Sequence, residues 1–553
     1  MLRPFHLLLV FLMLLGLAGC AIPGMEPPKV TVQIVYGSEK QDWMTATTEA
    51  FNAQELQTED GKTIVIEAIP MGSNDSLQRI LAGELQPTVW SPASSILLPV
   101  ANAEWTGATP LVDAAPPALV LSPVVIAMWE PMAQALGWPE KQLGWADIAE
   151  MASSGATWAD YGHAEWGPFQ FGHTHPAYSN SGITSVLATT YAATGKTRDL
   201  TVADVQQEST GEFLQAVESS IIHYGESTGF FADQMFNRGP AYLSAAVLYE
   251  NLVVSSYDRQ LYPNTVMPVV AIYPKEGTFW SDHPYAILDA PWVSAEQRAA
   301  AERFRDFLLD RPQQELALQY GFRPADADLA IGAPIDAAHG ADPGQPQNVL
   351  AVPEAEVITA VQDAWSASKK RVDVMVVLDV SGSMAEEARL ANAKTALRNF
   401  ISRLNDADGF GLTVFSNEAR VVSEVSPIGE KRMELLNAID GLFPQGNTRL
   451  IQTTYEAYEA LSQEPAGERI RAMVVLSDGA DNRSDNATLN ELLNTLNSEG
   501  EGYSIKVFTI AYGSGGDVNQ DLLTQISNAS GARMYKSSPT EINEVYDAIA
   551  TFF

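Results

Sequence analysis

The chain has 553 residues, which predicts roughly three or four compact units rather than one domain. With 46% hydrophobic and 18% charged residues it is globular in composition, and its one cysteine, Cys20, excludes an intrachain disulfide. A formal charge of −35, from 68 acidic and 33 basic residues, repels nucleic acid and anionic headgroups and is compatible with divalent cations.

In chain order, Arg3 precedes an apolar run over residues 7–17, followed by Leu17-Ala18-Gly19-Cys20. That is a charged segment, a short hydrophobic segment and small residues before a cleavage point. The apolar run is too short to span a bilayer. Leu17-Ala18-Gly19-Cys20 resembles the bacterial lipobox. The resemblance implies that residues 1–19 are a signal peptide and that Cys20 becomes an acylated N-terminus. The protein is then expected to be exported to the cell envelope and lipid-anchored to a membrane. Residues 20–29, with "IPGMEPPK", read as a Pro-rich tether.

Residues 30–330 open on two echoing units. "KVTVQIVYGS" and "KTIVIEAIPMGS" are strand-like, and each ends in Gly-Ser, at Gly37-Ser38 and Gly72-Ser73. Each leads into a helical pattern, so a parallel sheet with covering helices is expected. "LVLSPVVIAMW" over 119–129 reads as a buried strand, and "GPAYLSAAVLYEN" over 239–251 as a helix. Ser38 and Ser73 stand at helix N-termini, where backbone N–H groups suit an anion or carboxylate. Ser94, Ser95, Tyr178, Asn180, Ser181 and Thr228 are further candidate ligand contacts on loops. Each of them also suits a cap or a turn. His173 and His175 form a His-x-His pair that reads as a hydrogen-bonded loop rather than a zinc site.

"YGSEKQDWM", "AIPMGSNDSL", "LQPTVWSPASS" and "LVLSPVVIAMW", in that order, resemble the bacterial extracellular solute-binding proteins of the periplasmic type 2 fold. The resemblance implies two lobes closing over a small polar solute. Residues 30–121 with a later part would form one lobe, and about 122–240 the other. It does not name the solute.

Residues 331–368 read as a Gly/Pro/Ala-rich linker followed by a connecting helix. All eleven tryptophans lie between Trp43 and Trp365, so composition changes at this point.

Residues 369–553 alternate apolar strands, "VDVMVVLD", "GFGLTVFS", "RAMVVLSD" and "SIKVFTIAYG", with amphipathic helices. The pattern predicts a doubly wound, Rossmann-like α/β domain, whose ligands sit outside the carboxyl ends of the strands. Asp379, Ser381 and Ser383 fall there, as do Thr448 in "QGNTRL" and Asp478 in "SDG". Two carboxylates and three hydroxyls from three segments suit a hard cation, Mg²⁺ or Mn²⁺, with Ca²⁺ as an alternative. Capping explains any one of them but not all five. The set resembles the metal-ion-dependent adhesion site of von Willebrand factor A (VWA) domains. The resemblance implies direct ligation by the hydroxyls, support from the aspartates, and an open position for a carboxylate of a partner protein. Asp481 and Asp485 read as a solvated acidic loop.

No G-x-S-x-G or H-E-x-x-H motif occurs, and "ATGKT" lacks the first glycine of a phosphate loop. The expected fold class is therefore α/β, a two-lobed periplasmic-binding-protein-like module followed by a VWA domain. The expected function is non-enzymatic binding in the cell envelope, with a substrate-binding component of an ABC-type transporter as the first alternative. An envelope enzyme with an unrecognised site is the second.

Overall fold

The structure, a computed structural model, describes residues 28–463, 469–478, 481–484, 486–498, 505–513 and 518–553. The lipobox, Cys20 and Asp485 lie outside the described residues. Among the described residues no helix is long and apolar enough to cross a membrane.

The two Gly-Ser units build the first sheet. Strands β1 (Lys29–Gly37) and β2 (Thr63–Met71) pair in parallel along their length, β3 (Val89–Ser91) adds in parallel on the other side of β1, and β9 (Ala286–Ile287) pairs antiparallel with β3. Helices Gln41–Asn52 and Ser73–Ala82 follow the two Gly-Ser turns. Val32, Ile34 and Ile66 pack with Trp43 and Phe51, and with Phe304 and Leu308 from helix Ala295–Leu309, which returns late in the chain. Gly72 is required by a close approach: a Cβ there would stand 2.5 Å from the Tyr178 carbonyl oxygen.

Strand β4 (Val120–Trp129) crosses between the lobes. Val120 belongs to the first core, whereas Val124 to Trp129 belong to the second. Its later residues pair antiparallel with β6 (Ala245–Tyr249) and β7 (Val269–Ile272), and its start pairs with β8 (Trp280–Ser281) and β10 (Arg323–Pro324). The second lobe therefore runs past Pro240 as far as β8. "GPAYLSAAVLYEN" is not one helix: Ala245–Tyr249 is a strand and the helix begins only at Glu250. Its five residues are fully buried between β4 and β5 (Phe171–Gly172), and a short apolar run between two strands completes more hydrogen bonds extended than coiled.

Residues 331–353 lie along the second lobe. Ala271 N–H donates to Gly340 O, Thr278 N–H to Asn348 O and Leu350 N–H to Thr278 O. Helix Ala355–Ser368 then packs on helices Asn180–Thr194 and Glu208–Glu218 of that lobe.

The third sheet has the order β13-β12-β11-β14-β15-β16, from β11 (Arg371–Asp379), β12 (Gly409–Phe415), β13 (Ala419–Pro427), β14 (Arg469–Ser477), β15 (Lys506–Tyr512) and β16 (Met534–Ser537). All neighbours are parallel except the edge strand β13. The near-continuous apolar run of β11 follows from burial on both faces. Val374, Val376 and Leu378 face the layer containing Leu397 and Phe400, while Met375 and Val377 face that of Leu450 and Tyr458. The edge strand "ARVVSEVSP" was not anticipated, because its half-exposed residues break the apolar pattern.

Candidate functional site

The neighbouring strands β11 and β14 are in register with Leu378 opposite Leu476. Their next residues bring Asp379 beside Ser477, and Asp478 begins the turn that follows. The two carboxylates therefore share one edge of the sheet. Asp379 is fully buried. The Ser381 N–H donates to its Oδ1 (2.8 Å) and the Ser477 hydroxyl to its Oδ2 (2.6 Å). Burial pushes the Asp379 carboxyl up to about 6, against the pull of those donors, and the nearby Asp478 adds to the rise.

The Ser381 and Ser383 hydroxyls share a hydrogen bond (3.1 Å), and Ser383 donates to Asp478 Oδ1 (2.8 Å). Thr448 is brought alongside by its loop. Gly382 N–H donates to Gly446 O (3.0 Å), and Gln445 N–H to Val380 O (2.8 Å). Thr448 N–H in turn donates to Asn482 Oδ1 (3.1 Å). Asp379, Ser381, Ser383 and Asp478 thus form one hydrogen-bonded chain, and the Thr448 loop is fastened to its first turn. The donor set is all oxygen and largely neutral, and it fits a hard divalent cation.

Arg389 was not anticipated. Its Nη1 donates to Asp478 Oδ2 (2.8 Å) at the start of helix Arg389–Arg403. Glu387 and Ala388 just before it both hold positive φ, 50° and 56°. Non-glycine residues are strained there, and this turn delivers the guanidinium to the carboxylate. In sequence Arg389 is one more charge in a helix-forming run, so nothing local sets it apart. Asp481 takes a structural role: its carboxylate accepts from Ile451 N–H (2.7 Å) and from Ser484 (2.7 Å). Among the described residues no group of three or more His, Cys, Asp or Glu is placed to hold a metal.

A second candidate site lies between the lobes. A cavity of about 430 Å³ is lined by Ser38 and Gly72 of the first lobe and by Tyr178 and Ser227 of the second. Arg533 and Asp547 of the C-terminal domain complete it. Of the candidate contacts, Ser38 and Tyr178 face this cavity. The others do not line it. Ser73 accepts from Ala93 N–H (3.0 Å), Ser94 from Ile96 N–H (3.3 Å), and Ser95 N–H donates to Asp282 (2.7 Å). Ser181 and Thr228 bond each other (2.7 Å) and Asn180 Nδ2 donates to the Tyr249 hydroxyl (2.9 Å), all buried.

The expectation of a free anion-binding helix end after Ser73 is corrected by the geometry. The Asn74 and Asp75 N–H groups both donate to Tyr178 O, at 3.2 and 3.1 Å, so the other lobe already satisfies them. His173 Nε2 meets Glu218 (2.9 Å), and His175 packs against Tyr178, Tyr224 and Trp365, so the pair does not converge on a metal.

Several buried polar atoms stay unpartnered among the described residues: Asn74 Oδ1, Ser91 Oγ, Asn180 Oδ1 and His283 Nε2. Sequence reading also missed Lys40. Its fully buried ammonium contacts Glu39 (3.1 Å), Ser91 O (3.0 Å) and His283 Nδ1 (3.2 Å). A Glu-Lys pair beside a Gly-Ser turn looks like an exposed helix start until the returning chain brings His283 onto it.

The model for bacterial extracellular solute-binding proteins matches residues 32–323. The chain belongs to that family. Residues 373–548 match the von Willebrand factor type A domain, so this solute-binding protein carries a VWA domain at its C-terminal side. Both are typically non-catalytic binding modules, and membership points to an exported protein.

No curated protein matches the chain. Among solved structures, a periplasmic thiamin binding protein is similar at 14% identity, covering 63% of this chain and 100% of that one, with a TM-score of 0.44. The sulfate-binding protein SubI from Mycobacterium tuberculosis is similar at 19% identity, covering 54% and 88%, with a TM-score of 0.38. A von Willebrand factor type A protein from Catenulispora acidiphila is similar at 19% identity, covering 33% of this chain, with a TM-score of 0.30. The solute-binding protein described here spans only 42% of the Catenulispora chain.

Proposed function

We propose that this chain is a lipid-anchored binding protein of the cell envelope. Residues 1–19 are its signal peptide, Cys20 its acylated N-terminus and 20–29 its tether. Residues 30–330 take a small polar solute, 331–368 connect the modules, and the VWA domain over 369–553 engages another protein. Ser381, Ser383 and Thr448 would hold Mg²⁺, or Mn²⁺ or Ca²⁺ in its place, with Asp379 and Asp478 supporting. When bound, such an ion supplies an electrophilic position for a carboxylate of the partner.

The observation that carries this reading is the hydrogen-bonded chain from Asp379 through Ser381 and Ser383 to Asp478 at one sheet edge. Four oxygen-bearing side chains are held together there, and one of them is a buried carboxylate with no cationic side chain among its hydrogen-bond partners in the described residues. Asp379 orients Ser381 and Asp478 orients Ser383. Arg389 fixes the outer oxygen of Asp478. For the solute, the support is the cavity between the lobes, lined by Ser38, Gly72, Tyr178 and Ser227.

The test is capture of partner protein from envelope extract by wild type, by Asp379→Ala, and by wild type with chelator. Capture lost in the last two supports the reading, and equal capture in all three refutes it. Family membership favours one second reading, a substrate-binding component of an ABC-type transporter. In that case the captured partner is a permease.

A further inference from the structure

The VWA domain meets the rest of the chain by the end of its sheet opposite the metal edge. Lys369, just ahead of β11, and Arg533, just ahead of β16, lie at this end, whereas Asp379 and Asp478 lie at the other. Against the second lobe it forms a seam. The Phe552 ring packs on His223 and Phe230, at 6.0 and 6.3 Å between centroids. Tyr224 N–H donates to Phe552 O (3.2 Å), and Arg533 pairs with Glu226 (2.7 Å) while lying over the Phe230 ring (5.0 Å). Trp365, leading into the domain, packs on His175 and Tyr224 of the same lobe.

Against the first lobe the contact is thin. Among the described residues the ion pair across it is Arg79–Glu544 at 3.7 Å, with the Glu544 side chain 61% exposed. Yet the last helix, Ile542–Ala550, reaches over the mouth of the cleft. Asp547 and Ala548 on it line the same cavity as Ser38, Gly72 and Tyr178. Asp547 is held from behind by Arg403 (2.8 Å), whose guanidinium also reaches the Tyr178 hydroxyl (3.5 Å). Tyr178 is the residue whose carbonyl closes onto the first lobe at Asn74 and Asp75.

Packed rings, a backbone hydrogen bond and the Arg533–Glu226 pair on one side, against the Arg79–Glu544 pair on the other, fix which contact parts first. We propose that the VWA domain is the third wall and the latch of the solute cleft: it moves as one body with the second lobe and separates from the first at Arg79–Glu544 when the cleft opens. This rests on the reading of residues 30–330 as a two-lobed solute-binding module and adds the regulation of that site. A solute leaving the cleft then passes the last helix, and anything that displaces the VWA domain changes access to the cleft.

The experiment uses the full mature chain with Cys20→Ser, so that introduced cysteines are its only thiols, and with neither solute nor metal added. Spin labels at Asp60→Cys in the first lobe, Glu212→Cys in the second and Met433→Cys in the VWA domain are taken in pairs by double electron–electron resonance. The first-lobe distances to the second lobe and to the VWA domain should share the same closed and open populations. The distance between the second lobe and the VWA domain should stay single.

Glu544→Arg sets two guanidinium groups against each other at an exposed position and should raise the open fraction about threefold, as a surface pair of this kind allows. Glu544→Gln should fall between. Unchanged distributions in Glu544→Arg, or a second-lobe-to-VWA distance that varies, overturn the proposal. Because neither magnesium nor solute enters the measurement, failure of the metal or solute readings leaves this result untouched.

Discussion

Replacing Asp379 by Asn separates the proposed metal role of the site from its structural role. The side chain accepts two hydrogen bonds, from Ser381 N–H and Ser477 Oγ. Weakening two charge-assisted bonds costs roughly 1–3 kcal/mol in all. Removing a buried carboxylate that lacks a cationic partner returns a similar amount. The metal-free stability of the variant should therefore stay within about 1 kcal/mol of wild type. The response to magnesium should differ sharply. At a free Mg²⁺ concentration one hundred times Kd, binding stabilises the wild-type domain by about 2.7 kcal/mol. For a domain of this size that raises Tm by roughly 5–10 °C, and the asparagine variant should lose most of the rise. Differential scanning calorimetry with EDTA and with increasing Mg²⁺ is the assay, since no tryptophan follows Trp365 to report on this domain. A magnesium-dependent rise of equal size in Asp379→Asn, or no rise in wild type at millimolar Mg²⁺, refutes the reasoning.

Two further outcomes are expected at the seam between the modules. Burial pushes the Lys506 amine down to about 7 from 10.5, with Arg238 adding to the fall. The fold favours the neutral amine, so its contribution is complete above pH 10.5, declines as pH falls toward 7 and stays lost below that. The loss is at most about 5 kcal/mol. Lys506→Met should then be more stable than wild type at pH 6 and no more stable at pH 10.5, which urea titrations at the two values check. Phe552→Ala removes a ring that is 5% exposed and packs on His223, Phe230 and Phe508. It should cost roughly 3–5 kcal/mol and split the melting of the VWA domain from that of the second lobe. Unchanged calorimetric transitions would show that the seam carries little of the coupling.

Legibility from sequence followed how local each signal is. The run "VVLDVSGSM" places an unbroken apolar strand beside three regularly spaced oxygens, and a parallel strand buried on both faces must end in such a turn. Asp379, Ser381, Ser383 and Asp478 were therefore readable, and they do meet. The paired Gly-Ser units gave the first sheet because each strand–turn–helix unit closes within about thirty residues. "GPAYLSAAVLYEN" was misread as a helix because five buried apolar residues have no period. Only β4 and β5 on either side decide that they are extended. Arg389 and Lys40 looked like ordinary surface charges, and their roles come from Asp478 and His283, which are far away in sequence.

The cleft was hidden for the same reason. Ser38, Tyr178 and Asp547 share one cavity only because three distant parts of the chain converge. The sequence by itself determined the two modules, the strand that ends in Asp379 and the oxygens that follow it, since hydrophobic period and turn chemistry act between near neighbours. Tertiary structure alone decided that Tyr178 caps the helix at Asn74, that Phe552 fixes the VWA domain to the second lobe, and that its last helix lines the cavity between the lobes. Those contacts join residues a hundred or more positions apart, where tertiary packing rather than any local pattern selects the partner.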